Sequence, residues 1–412
     1  MRSLGKITSS QWCFWAFLGI GAALRLWWAF TFDPNPVNDG KWYLARSTEI
    51  AAGLGYRVDG QPTAYWPVGY PAVLASAWTL FGNELLVMRL LQAALGVLCL
   101  FATHQVALVA CNSVLAARAA LLLLALYPTD VAYVSVMLSE SSYNAWMMAG
   151  SAVALSSLAF WPRTLLAGSL FALAALTKPQ GLVLPVVFGL LASVKMPRRR
   201  FARILNTLAL CAAMSVALSP WWIRNAYAFG AFVPVSNNGG VNLFIGNNPQ
   251  AHGGYRAPRE KVQRGGRAEY QSDRQLAERA REYVRTNPAR TVRLWKRKLE
   301  KLFVDDQAPY AWSRSMAADK LARMQPFAAM DRTYYWTLLA LGSLGCLLSW
   351  WPRTRMPLAG FVLAQVLTVV AVALVYFGAD RYHHAVMPWV SILAGHVVAL
   401  VLRVPLRRRL SG

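Results

Sequence analysis

Residues 164–195 read TLLAGSLFALAALTKPQGLVLPVVFGLLASVK. Two apolar runs, 164–177 and 181–195, flank a polar insertion, TKPQG, from Thr177 to Gly181. Each run is short for a membrane crossing, which takes about 20 residues. Pro179 and Gly181 favour a turn, so the stretch reads as two helices. One interrupted helix is the competing reading, and it would reverse the sidedness of everything that follows. This corner therefore decides the topology.

Working outward, apolar runs of similar character recur at 12–32, 85–110, 114–136, 141–160, 204–222, 334–351, 357–377 and 385–403. The chain has 412 residues, 56% of them hydrophobic, and a mean hydropathy of +0.35. That is too apolar for a soluble globule of this length. The expected class is an all-α polytopic membrane protein of about ten transmembrane helices, with outward juxtamembrane helices and a small mixed outward domain.

Charge supports the two-helix reading. With ten spans, the segments on the starting side are 1–11, 111–113, 161–163, 196–203, 352–356 and 404–412. Counting the flanking Lys195 and Arg403, they hold Arg2, Lys6, Arg163, the cluster Lys195, Arg198, Arg199, Arg200 and Arg203, then Arg353, Arg355, Arg403 and Arg407 to Arg409. No Asp or Glu falls there; all 18 acids lie on the other side. Short loops are where the positive-inside rule works best, so both termini are expected to be cytoplasmic. The first apolar run is too long for a signal-peptide core, and no small-residue cleavage site precedes Phe32. The five cysteines, Cys13, Cys99, Cys111, Cys211 and Cys346, lie in or at the ends of spans, so no outward disulfide framework is expected.

Two outward regions are large. The first, 33–84, opens with DPNPVNDG and continues into a helix expected to end at Gly53 or Gly55. AYWPVGYPAVLASAWTLFG, 64–82, is too short and too Pro-broken to span, and Tyr and Trp suit it to the interface. The second, 223–333, divides the chain into 1–222, 223–333 and 334–412. Its Gly-, Asn- and Pro-rich opening suggests turns and a small hairpin. Helical stripes follow: Leu276, Ala280, Tyr283 and Val284, then, past Asn287-Pro288, Val292, Trp295, Leu299, Leu302 and Phe303. The region carries 20 Lys and Arg against 10 Asp and Glu. Such an excess wants an anionic partner: lipid headgroups, a lipid phosphate or an acidic glycan. Nucleic acid is not implied, because anionic lipid accounts for the cytoplasmic cations.

Several residues stand where chemistry needs them. Asp39, in VNDGKWYLARS beside the first span, is a carboxylate placed to act as base or electrostatic partner, or to cap the helix starting near Lys41. Glu140 enters the fourth span, where an acid is expensive unless paired or functional. Asp130, nearer the loop tip, reads as a solvated turn residue. Lys178, Arg381 and, with less support, Arg224 are outward cations close to hydrocarbon, suited to a phosphate or to interfacial snorkelling. His383, His384 and His252 with Asp39 or Glu140 are the ligands a divalent metal would need, although no fixed spacing marks a site. His104 and His396 read as packing or hydrogen-bonding residues within spans.

Taken in order, the pattern Asp39-x-x-x-Tyr43, PVGYP at 67–71, LSE at 138–140, LTKPQG at 176–181, PWWIRN at 220–225, GNNP at 246–249 and DRYHHAVMP at 380–388 resembles the GT-C glycosyltransferases. Within them it is similar to glycosyltransferase family 39, which includes protein O-mannosyltransferases and the lipid A aminoarabinose transferases. The resemblance implies a sugar donor on polyprenyl phosphate and inversion at the anomeric carbon. The acceptor it implies is a lipid, glycan or protein on the outer face of a bacterial inner membrane. It also implies a carboxylate acting as base or activator at Asp39, and a donor phosphate held by Lys178 and Arg381. Beside these, Glu140 stands as a second catalytic candidate, Arg224 as a further phosphate cation, and Tyr43, Tyr382 and His383 as residues lining the substrate. The paired-acid signature beside Asp39 is absent, and the C-terminal part is small.

A lipid or glycolipid transporter is the main rival. It would bury acids and bases mid-span and often repeat its halves. Here Arg25, Arg89 and Arg118 are the few charges inside spans, and the halves do not resemble each other. A scaffold using its basic outer helices to hold acidic glycan ranks third.

Overall fold

The computed structural model describes residues 9–82, 84–192 and 200–410. Arg2, Lys6, Lys195, Arg198 and Arg199 of the expected cytoplasmic cations lie outside the described residues, as do the side chains of Arg200, Arg403 and Arg407 to Arg409. The chain starts with α1 (Ser9–Thr31), α2 (Asp39–Ala51), a two-stranded antiparallel pair β1 (Arg57–Val58) and β2 (Gln61–Pro62), α3 (Gly69–Phe81) and α4 (Leu85–Cys111). Then come α5 (Val114–Ala125), α6 (Pro128–Ala132), α7 (Glu140–Leu155), α8 (Phe160–Thr177), a 3-10 turn (Pro179–Val183), α9 (Leu184–Leu191) and α10 (Arg200–Phe229). The outward segment forms α11 (Gly239–Gly246), α12 (Gly266–Thr286), α13 (Pro288–Phe303) and α14 (Ala308–Trp312). α15 (Ala318–Leu348), α16 (Ala359–Val375), α17 (Asp380–His383), a second 3-10 turn (His384–Val386) and α18 (Met387–Leu410) complete it.

Among the described residues, five stretches of helix are long and apolar enough to cross a membrane: Gln11–Thr31, Leu85–Cys111, Phe160–Thr177, Phe201–Phe229 and Asp380–Leu402. Val114–Ala125, Pro179–Leu191 and Ala359–Val375 are shorter apolar helices. The bundle packs α18 on α5 and α15, α4 on α7, α5 and α1, and α8 on α7 and α10. α5 presents Ala116, Ala117 and Ala120, all fully buried, which lets helix backbones approach closely where lipid offers no hydrophobic drive.

The TKPQG corner is a turn. α8 stops at Thr177, Lys178 is extended, and the chain folds back so tightly that a Cβ on Gly181 would lie 2.5 Å from the Ala175 nitrogen. In one continuous helix, residues six apart are about 9 Å apart along the axis at 1.5 Å per residue. Gly69 of the PVGYP loop closes on the same corner, where a Cβ would meet the Leu176 carbonyl carbon at 2.6 Å.

Four expectations are corrected. The apolar run 114–136 is not one helix: it breaks after Ala125, and Pro128, which lacks an N–H, opens α6. No hairpin forms in the opening of 223–333; among the described residues the one strand pair is β1–β2, because the GGVNLFIG stretch closes into α11 instead. Val292 and Trp295 are exposed, and α13 buries Thr291, Leu294, Lys298 and Leu302. The packed face thus runs through a lysine, whose Nζ donates to the Leu374 carbonyl (2.8 Å), the Val375 carbonyl (3.4 Å) and Asn247 Oδ1 (3.0 Å), capping the C-terminus of α16. Burial pulls the Lys298 ammonium down to about 8. Finally, Asp130 is buried, as described next.

Candidate active site

α2 opens at Asp39, with Asn38 before it in the N-cap position at φ +44° and no side-chain capping bond. Asp39 is therefore not the N-cap. Its Oδ2 accepts a hydrogen bond from Arg381 Nη1 at 2.7 Å, and the two side chains are 16% and 24% exposed. Glu140 opens α7 in the same manner, and its Oε1 accepts from Lys178 Nζ at 2.9 Å. Its second oxygen, Oε2, is buried with no hydrogen-bond partner. Two carboxylates at helix N-termini, where the dipole favours them, thus meet two cations from two inter-helix corners.

Tyr382 joins the pairs. The Arg381 guanidinium lies 5.3 Å from its ring centroid and Lys178 Nζ lies 5.6 Å from it. Arg381 also lies over Trp312 at 5.5 Å. Tyr43 is buried one turn after Asp39, against Tyr70 and Trp66 with centroids at 5.1 and 5.7 Å. Burial, and then the charges of Asp39 and Glu140, push the Tyr43 hydroxyl well above its ordinary range, so it stays a neutral donor. Asp39, Tyr43, Glu140, Lys178, Arg381 and Tyr382 come together; Arg224 and His383 do different work. Arg224 donates to the carbonyls of Tyr56 (2.6 Å) and Thr63 (2.9 Å), fastening the first outward loop to α10. His383 is fully buried, its Nδ1 2.5 Å from the Leu302 carbonyl and its Nε2 3.1 Å from Asp306.

Sequence reading missed a second layer. Asp130 is paired with the fully buried Arg25 of α1 and lies 3.2 Å from His384 Nε2. The solvated-turn reading fails because α6 folds this acid inward, 105 residues from its partner. Nearby, Asp331 accepts from the Thr129 backbone N–H (3.1 Å) and Gln307 (3.2 Å), and the Thr129 hydroxyl donates to the Asp306 carbonyl (2.8 Å). Burial and the charge of Asp306 raise the Asp331 carboxyl above its usual range. The adjacent His383-His384 and the Arg in a span were the available signals; their acids were not locatable without the packing. Both histidines lie within three residues of Arg381, so these pairs fix the turn that aims it. Among the described residues no group of three His, Cys, Asp or Glu is placed to hold a metal ion, so the divalent-metal expectation finds no ligand set there.

No protein-family description matches the sequence, and no curated protein matches it. Among solved structures, the chain is similar to an oligosaccharyltransferase from Archaeoglobus fulgidus in its apo form. That likeness has a TM-score of 0.60 and 12% identity, over 98% of this chain and 52% of that one. A structure of the archaeal oligosaccharyltransferase AglB from Archaeoglobus fulgidus, in complex with an inhibitory peptide and a dolichol-phosphate, gives 0.57 and 13% over 97% and 51%. ArnT from Cupriavidus metallidurans bound to undecaprenyl phosphate aligns at 0.44 and 14%, over 95% and 78%. The chain spans about half the length of the oligosaccharyltransferases it matches. At such identities the likeness concerns architecture alone: the chain shares the membrane-helix fold of these oligosaccharyltransferases.

Proposed function

We propose that this protein is a membrane glycosyltransferase that moves a sugar from a polyprenyl-phosphate donor to an acceptor, with inversion, as in glycosyltransferase family 39. The observation that carries the reading is the meeting of Asp39–Arg381 and Glu140–Lys178 around Tyr382, four charges drawn from four separate elements. In a resting enzyme the pairs neutralise each other. A lipid phosphate competes with the carboxylates for Arg381, whose forked donors suit it, and for Lys178. Asp39, released from Arg381, accepts the proton of the acceptor hydroxyl as its oxygen bonds to the anomeric carbon. The bond from that carbon to the phosphate oxygen breaks, its electron pair leaving on the lipid phosphate, where Lys178 and Arg381 stabilise the charge. The unpartnered Oε2 of Glu140 is free to accept a hydrogen bond from a sugar hydroxyl.

The dolichol-phosphate held by an oligosaccharyltransferase of the same fold supports a lipid-phosphate donor. The charge asymmetry of the loops supports cytoplasmic termini and an outward, periplasmic site. On that reading 1–222 is the catalytic transmembrane module, 223–333 the basic outward domain and 334–412 the closing helices. The test is transfer of labelled sugar from a polyprenyl-phosphate pool in membranes carrying the wild type or Asp39→Asn. Loss of transfer by an inserted, folded variant supports the assignment; transfer that survives intact removes Asp39 from the chemistry. The buried Arg25–Asp130–His384 cluster is the one feature that favours a lipid transporter instead. Lipid crossing the bilayer with no glycosylated product would decide for it.

A further inference from the structure

Beside the charge pairs lies an aromatic platform with a cation on it. The Arg264 guanidinium stands over Trp42, Tyr65 and Trp66, at 5.1, 4.8 and 5.9 Å from their ring centroids. The rings pack on one another: Trp42 on Trp66 at 5.0 Å, Tyr65 on Trp66 at 5.4 Å and Trp42 on Tyr65 at 6.0 Å. The platform reaches the proposed catalytic cluster, because Trp42 precedes Tyr43 in α2 and Trp66 touches Tyr43 at 5.7 Å. Trp42, Trp66 and Tyr382 also pack into one apolar cluster.

A second arginine over the same Trp42 ring makes the contrast. Arg46, at 4.9 Å, has its charge answered by both oxygens of Glu49 at 2.8 Å. Arg264 is exposed, and among the described residues no carboxylate pairs with it. Its place is nevertheless fixed. The neighbouring Gly265 N–H donates to the buried Glu269 at 2.8 Å, and the same carboxylate takes the Thr63 hydroxyl (2.5 Å) and the Ala64 N–H (2.8 Å), just before Tyr65. A forked, unanswered cation held on aromatic rings is a recognition surface: the guanidinium takes an anion bidentately, the partly exposed edges of Trp42 and Trp66 offer apolar surface to a sugar, and the buried Tyr65 backs them.

We propose that Arg264 with Trp42, Tyr65 and Trp66 forms the acceptor subsite, and that the acceptor is an anionic glycan or glycolipid bearing a phosphate or carboxylate near the hydroxyl that is glycosylated. This rests on the glycosyltransferase reading above. The donor phosphate has its own cations in Lys178 and Arg381, whereas Arg264 belongs to the outward segment that carries the excess of basic residues.

The experiment titrates the purified full chain in lipid nanodiscs with glucose 1-phosphate, with glucose and with undecaprenyl phosphate, by calorimetry. The wild type binds glucose 1-phosphate and discriminates against glucose. Arg264→Gln weakens glucose 1-phosphate by about tenfold to a hundredfold, the range of one lost charged hydrogen-bond set. Arg264→Lys, which keeps charge and loses the fork, falls between. Undecaprenyl phosphate binds all three proteins equally, which also reports that the variants are folded. Equal affinity of wild type and Arg264→Gln for glucose 1-phosphate, or no binding by the wild type, overturns the proposal. Loss of undecaprenyl phosphate in Arg264→Gln with glucose 1-phosphate retained also overturns it, by assigning the anion to the donor. Failure of the wild type to bind undecaprenyl phosphate, with Arg264-dependent binding of glucose 1-phosphate intact, would instead sink the donor reading and leave the subsite standing.

Discussion

In Asp39–Arg381 and Glu140–Lys178, three of the four side chains keep partial contact with solvent, 16–24% exposed, while Glu140 is 3% exposed. Arg25–Asp130–His384 and Asp306–His383 lie behind them with side chains 0–6% exposed. The residue types are the same in both layers, but solvent is not. A pair with one member still in contact with water can exchange its partner for a substrate phosphate, because water and the phosphate answer the charges as they separate. A buried pair cannot: removing one partner strands the other charge at about 3–5 kcal/mol. The open layer is therefore suited to exchange and the buried layer to holding the Asp380–Val386 turn in place.

The comparison is broken most directly by Asp39→Asn, nearly isosteric and still able to bond Arg381. Transfer of labelled sugar is expected to fall about 100- to 10,000-fold, the usual range for a lost general base, with the unfolding temperature in detergent nearly unchanged. Arg25→Met should do the reverse in kind: it strands Asp130 and costs about 3–5 kcal/mol of stability, read as loss of folded protein by thermal unfolding. A stable Arg25→Met variant would show that Asp130 finds water or another donor. Lys178→Gln should sharpen the contrast by weakening undecaprenyl phosphate about tenfold in a binding titration, with a smaller loss of stability than Arg25→Met because the Gln amide can still donate to Glu140.

The smallest effect is in pH. The Asp331 carboxyl is raised by burial and by Asp306. The folded protein therefore keeps a proton that the unfolded chain loses, and its stability drops as pH rises from the ordinary carboxyl range through the folded value. Asp331→Asn should flatten that slope in unfolding temperatures measured across pH; a slope identical to wild type would exclude Asp331 as its source.

Much of this was legible in advance. Asp39, Glu140, Lys178 and Arg381 each betray themselves as a charge next to hydrocarbon, where an ionic group must be paired or useful. Their pairing was not legible, because Asp39 and Arg381 are 342 residues apart. Asp130 was misread for the same reason: a short polar loop looks solvated until an arginine from another helix is packed against it. On α13 the apolar stripe through Val292 and Trp295 misled, since Lys298 buries its stem and satisfies its ammonium at a helix end.

The sequence by itself determined that the chain is built of apolar helices and that it turns at TKPQG, because apolar run length and Pro-Gly turns act locally along the chain. Only the tertiary structure decided which carboxylate answers which cation, which charges are buried and where Arg264 rests. Those outcomes depend on side chains brought together from distant helices, and the energy of a charge is set by the solvent left around it once they have met.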